Sequence, residues 1–152
     1  MSQQQRYLEP DWFTRNVFNR AVSRLTRFGI SIWGSRVLRV RGRKSGEWKS
    51  TPVNVLTVDG QRYLVAPRGV TQWVRNLRAA GGGELKLGRR SEPFHAIEVG
   101  DDVKAAILRE YLRRWKFEVG MFFDGLDAKS SDEQLARIAP GFPVFRIAEA
   151  SR

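Results

Sequence analysis

The sequence predicts an α+β domain with a mainly β core: a six-stranded antiparallel barrel with helices packed outside it. Three observations along the chain point there. Short stretches alternate apolar with charged or polar residues, the two-residue period of half-buried strands. Tight turn signals separate them, Asp59-Gly60 being the clearest. Helical stretches stand between groups of strands, not after each strand, so the regular alternation that builds a parallel sheet is missing. No long linker, internal repeat or low-complexity tract divides the 152 residues, so 1–152 reads as one domain with room for a real core.

Pro10-Asp11 opens a helix expected over about 11–28, proline suiting a first turn and aspartate the positive helix end. Phe13, Val17, Ala21, Leu25 and Phe28 make one apolar stripe on it, interspersed with Arg15, Arg20, Arg24 and Arg27. Such a helix packs its stripe on its own domain, or lies on an anionic membrane surface. Arg36 to Arg41 is the first strand, Lys49 to Val58 the second and Gln61 to Ala66 the third. Pro67-Arg68-Gly69 breaks the sheet, and Thr71 opens a short helix over 72–80. Gly81-Gly82-Gly83 reads as the C-cap and turn of that helix.

Residues 84–88 and 94–99 pair as two more strands, turned at Arg89-Arg90-Ser91. Asp101-Asp102 caps the next helix, whose broad apolar face is Val103, Ile107, Leu108, Tyr111, Leu112 and Trp115. The apolar run that follows, with Phe117, Phe122 and Phe123, reads as core or as a lid over a flat ring. Ser131-Asp-Glu-Gln134 opens a last short helix in a capping-box pattern, and Phe142 to Ile147 is the sixth strand.

The chain has no cysteine, which excludes a disulfide framework, a thiolate metal site and a cysteine nucleophile, and fits a reducing cytoplasm. The polar start, Met1-Ser-Gln-Gln-Gln, is not that of a signal peptide, and no stretch approaches the roughly 20 apolar residues of a membrane span. A cytoplasmic protein is expected, with peripheral contact at the inner membrane face as the alternative use of the first helix. Lys and Arg number 27 against 16 Asp and Glu, a net charge of +11 that draws polyanions: nucleic acid, anionic lipid, or a phosphorylated and carboxylated cofactor. Catalytic patterns are sparse. His95 is the only histidine and stands without a ligand or triad constellation, and there is no HExxH, paired-carboxylate or GxGxxG motif. An enzyme so equipped leans on a cofactor for its chemistry.

One turn offers a site for such a group. In Gly42-Arg43-Lys44-Ser45-Gly46 the glycines let the backbone bend close to a ligand, while Arg43, Lys44 and Ser45 supply cations and a hydroxyl. Taken alone, the turn fits a solvated hairpin loop as well as a phosphate site.

Gly42-Arg-Lys-Ser-Gly46, Thr51-Pro52, Asp59-Gly60, Ala66-Pro-Arg-Gly69 and Trp73-x-x-Asn76-Leu77 occur in one ordered run. Over about residues 36–100 this run resembles the deazaflavin (F420)-dependent nitroreductase and quinone reductase family of actinobacteria. The resemblance implies a split β-barrel of the FMN-binding-like kind, using coenzyme F420 as cofactor to pass a hydride to a small acceptor. Carried over by position, Lys44 and Lys49 face the phosphate and glutamate tail, with Arg43 and Ser45 close by. Thr51 and Pro52 lie along the cofactor, Ala66, Pro67, Arg68 and Gly69 pass beside the ring, and Trp73 and Asn76 close the pocket.

Three positions depart from the family pattern. Lys49 stands where arginine is common, Pro67 where some members have serine, and Phe117, Phe122 and Phe123 where nitroreducing members place tyrosines. The last departure points to an apolar or quinone-like acceptor. The proton for the product comes from water or Tyr111, and no residue is singled out as catalytic. Two other functions fit the composition: an FMN- or haem-binding split barrel, and a basic nucleic-acid-binding module. The aromatics argue against the second, because they sit mainly in helices and an apolar run, not among cations on exposed strands.

Overall fold

Strand alternation closes the chain on itself. In the computed structural model, which describes residues 35–119, 122–123 and 125–150, six strands form: β1 (Ser35–Arg41), β2 (Trp48–Val58), β3 (Gln61–Val65), β4 (Gly82–Leu87), β5 (Arg90–Glu98) and β6 (Val144–Glu149). All pairs are antiparallel, and the closed order is β1-β2-β3-β6-β5-β4. Three helices accompany them: α1 (Gln72–Ala80), α2 (Lys104–Val119) and α3 (Asp132–Ile138). The helix expected over 11–28 lies outside the described residues.

The two-residue period sorts side chains onto the two sides of the barrel wall. Leu38, Val40, Val55, Leu64, Leu85, Phe94, Phe145 and Ile147 come from all six strands and fill the interior, joined by Val74 and Leu77 of α1. Leu56, Val65 and Val144 point outward and meet a second core. There Ile107, Leu108, Tyr111, Leu112 and Trp115 of α2 pack with Leu135 of α3, Phe123 and Phe142. Phe123 stacks on Phe142 with ring centroids 4.3 Å apart, so this member of the aromatic run is core and not a lid. The side chain of Phe117 lies outside the described ones.

One end of the barrel is covered by α1; the far end is closed by charge. Arg36, Arg62 and Glu92 stand two residues before Leu38, Leu64 and Phe94, and so share their inward orientation. Both terminal guanidinium nitrogens of Arg62 donate to the Glu92 carboxylate, Nη1 at 2.9 Å. That hydrogen-bonded pair holds the Glu92 carboxyl below its usual range and raises Arg62, while burial lowers Arg36.

Several expectations are corrected. Only Gly81 is a C-cap, with φ 75°. Gly82 and Gly83 belong to β4, where a side chain would collide with backbone: a Cβ would stand 2.3 Å from Phe94 O and 2.5 Å from Arg39 O, respectively. Glycine there serves close strand approach, which in sequence looks the same as a flexible stop. Asp101 and Asp102 form a 3-10 turn with Val103, preceded by Gly100, instead of capping α2 directly. Val103 is 54% exposed, because that tight turn rotates it off the helical stripe. The sixth strand starts at Val144, since a 3-10 turn occupies Ala139–Gly141. The Asp59-Gly60 hairpin and the Ser131/Gln134 capping box form as expected.

Candidate functional site

The β1–β2 turn is held from three sides. Internally, Gly42 N donates to Glu47 O at 2.7 Å and Gly46 N to Gly42 O at 2.9 Å, with Gly46 at φ 72°. Outside, Arg41 Nη1 donates to Gly46 O at 2.9 Å while its guanidinium lies over the Trp48 ring, 4.3 Å from the centroid. From α1, Asn76 Oδ1 accepts both the backbone N–H and Nη1 of Arg43, at 3.1 and 2.7 Å. Asn76 is buried, and its amide oxygen is taken up by this tie. A basic turn pinned in this way has lost much of its conformational freedom before a ligand arrives, which favours affinity.

The turn, the start of β2 and the start of α1 enclose a cleft of about 500 Å³, within the usual range of small-molecule sites. Among the described residues four cations line it, Arg43, Lys44, Lys49 and Arg68, and no aspartate or glutamate does. Ser45, Thr51, Trp73 and Asn76 complete the expected residues in its wall; Trp73 leans on Phe145 with ring centroids 6.2 Å apart. The structure brings these eight together. Pro52, Ala66, Pro67 and Gly69 are not part of the lining. Pro52 stands opposite Val37 in the β1–β2 ladder, Ala66 is packed in the barrel core, and Gly69 is buried in a turn with φ 85°. Tyr111 is buried in the outer core against Trp115 and Phe123 and does not line the cleft.

The cleft also contains Val40, Gly42, Ser50, Thr71 and Gln72, to which the sequence assigned no contact with the cofactor. Thr71 is the instructive one. As the residue before α1 it reads as an N-cap, yet its side chain makes no capping bond, and among the described residues its buried Oγ1 has no hydrogen-bond partner. His95 lies exposed on β5, and among the described residues no group of three His, Cys, Asp or Glu could hold a metal.

Barrel and cleft together define a split-barrel protein with a cationic cleft beside α1. The model of the F420H(2)-dependent quinone reductase family matches residues 13–119, and the chain belongs to that family. The family's cofactor is coenzyme F420, and the residues present suit it: among the described residues the wall has four cations and no acid, which would complement the phosphate and carboxylates of its tail, and one buried hydroxyl without a partner.

Solved structures agree on the fold. An F420-H2 dependent reductase superimposes with a TM-score of 0.54 at 15% identity, covering 75% of this chain and 93% of that one. A protein of unknown function from Agrobacterium tumefaciens gives 0.58 at 18% identity over 95% of this chain, which spans 58% of that protein. A candidate pyridoxamine 5'-phosphate oxidase from Listeria innocua gives 0.52 at 13% identity, covering 78% of this chain and 85% of that one. A comparison with curated proteins finds no match.

Proposed function

We propose that the protein is an F420H2-dependent reductase that binds the cofactor in this cleft and passes its hydride to a small quinone-class acceptor. The observation that carries the reading is a wall that among the described residues has four cations and no acid, around a turn already pinned to α1. When bound, reduced F420 supplies a hydride from C5 of its deazaflavin ring. The chain's own part is to hold and orient. Lys44 and Lys49 attract the tail as point charges, and Arg43, fixed by Asn76, presents its remaining guanidinium donors. Trp73 gives an apolar wall against which a ring packs, and the enclosing side chains limit water around it. Tyr111 lies in the outer core and not in the cleft, so in this reading water supplies the product's proton.

Purified protein mixed with F420H2 and a soluble naphthoquinone, followed by the return of deazaflavin absorbance, tests this. Oxidation that saturates in both reactants is expected. Turnover with FMNH2 and none with F420H2 would replace the reading with an FMN one. Trp73→Ala should lower turnover together with affinity, because ring placement and binding share that wall.

A further inference from the structure

The start of α1 departs from an ordinary helix cap. Thr71 O accepts from Arg75 N at 3.1 Å as the helix ladder begins, so the N–H groups of Gln72, Trp73 and Val74 precede it. At most helix starts a threonine in this position satisfies one of them with its hydroxyl. Here the Thr71 backbone is extended as a cap requires, with φ −93° and ψ −177°, yet the side chain makes no capping bond. The first turn of α1 also carries no acidic residue, so nothing within the helix offsets its positive end. Thr71 is only 8% exposed, and its Oγ1 is buried with no partner among the described residues. A buried hydroxyl left unsatisfied is costly, and such costs persist chiefly at functional sites. Thr71, Gln72 and Trp73 all form part of the cleft wall, on the same space as Arg43, Lys44 and Lys49.

We propose that Thr71 Oγ1 and the leading N–H groups of α1 form a phosphate-binding subsite of the cleft, separate from the lysines. Hydroxyl and backbone donors around one phosphoryl group make short, directional bonds, a combination recurrent at helix starts. Lys44 and Lys49 are exposed, so their attraction is screened by salt. The subsite therefore recognises phosphate by geometry, and the lysines gather additional negative charge. Given the F420 reading above, on which this assignment of the ligand rests, the subsite takes the phosphodiester and leaves the glutamate carboxylates to Lys44 and Lys49.

The test uses the full chain without cofactor and inorganic phosphate as the probe, read by amide NMR shifts. Phosphate should shift the Gln72, Trp73 and Val74 resonances with saturation. Thr71→Val, which keeps the shape and removes the hydroxyl, should weaken phosphate binding roughly tenfold while raising the melting temperature. A stabilised protein that binds less tightly is a signature that a purely structural threonine does not give. Thr71→Ser should retain binding. Shifts confined to Arg43, Lys44 and Lys49, or equal affinity in Thr71→Val, would overturn the subsite. F420 titration of the same proteins separates the two claims. Phosphate binding at α1 without F420 binding keeps the subsite and removes the cofactor reading; F420 binding unaffected by Thr71→Val does the reverse.

Discussion

Asn76 shows how one side chain links fold to function. Its Oδ1 takes two hydrogen bonds from Arg43 across 33 positions of sequence, coupling the basic turn to the helix that faces it. In sequence it reads as a pocket residue one helical turn from Trp73; in the structure its amide oxygen is occupied by the protein itself. The consequence is testable. Asn76→Leu keeps the side-chain size but removes the acceptor, leaving the Arg43 N–H and guanidinium without it. Stability should fall by about 1–3 kcal/mol, the usual effect of orphaning buried polar groups, and F420 affinity should fall with it as the turn loosens. Denaturant unfolding paired with cofactor titration checks both. Full affinity in a destabilised variant would show that the tie serves the fold alone.

At the scale of elements, α1 and β4 meet at Gly81-Gly82-Gly83, and the three glycines have different reasons. Gly81 needs its left-handed φ of 75° and has open space around its Cβ position, so Gly81→Ala should cost about 1–2 kcal/mol from backbone conformation alone. Gly83→Ala would place a Cβ 2.5 Å from Arg39 O and must push β4 away from β1, so it should cost more and disturb the register Arg39↔Glu84. Melting temperatures of the two variants give the ranking; a larger loss in Gly81→Ala would contradict it. Much of this organisation was legible in the chain. The Asp59-Gly60 hairpin, the capping box at Ser131 and the apolar stripe of α2 follow from local chemistry, and local chemistry is what a sequence displays. Gly82 and Gly83 were not legible, because their reason is a carbonyl belonging to another strand. The candidate site divides the same way. The cations of the turn announce themselves, whereas Thr71 was hidden behind its ordinary role as a cap, and Ala66 faces a core that only the closed barrel creates.

For the whole molecule, the barrel has two unlike ends: a cationic cleft beside α1 and the Arg36–Arg62–Glu92 cluster opposite. Glu92 has a depressed folded-state pKa, so its contribution is present above the ordinary carboxylate range and is lost as pH falls through the folded value. Because the pair is partly exposed, that contribution is modest, about 0.2–1 kcal/mol. Glu92→Gln should therefore lower stability slightly near neutrality and flatten the acid limb of the stability–pH curve, with little effect on the cleft. Thermal melts across pH 3–8, an interval spanning the usual carboxylate range of about 4, check this; an unchanged acid limb would remove Glu92 from the account. At the other end, in the function proposed above, the pinned cationic turn takes the tail of F420. Fluorescence titration of F420 against the unmodified protein and Lys44→Ala, at low and high salt, tests it most directly. The variant should bind about ten- to hundredfold more weakly at low salt, the cost of one charge-assisted bond, and the gap should narrow as salt rises. Equal affinity of the two proteins at low salt would contradict it.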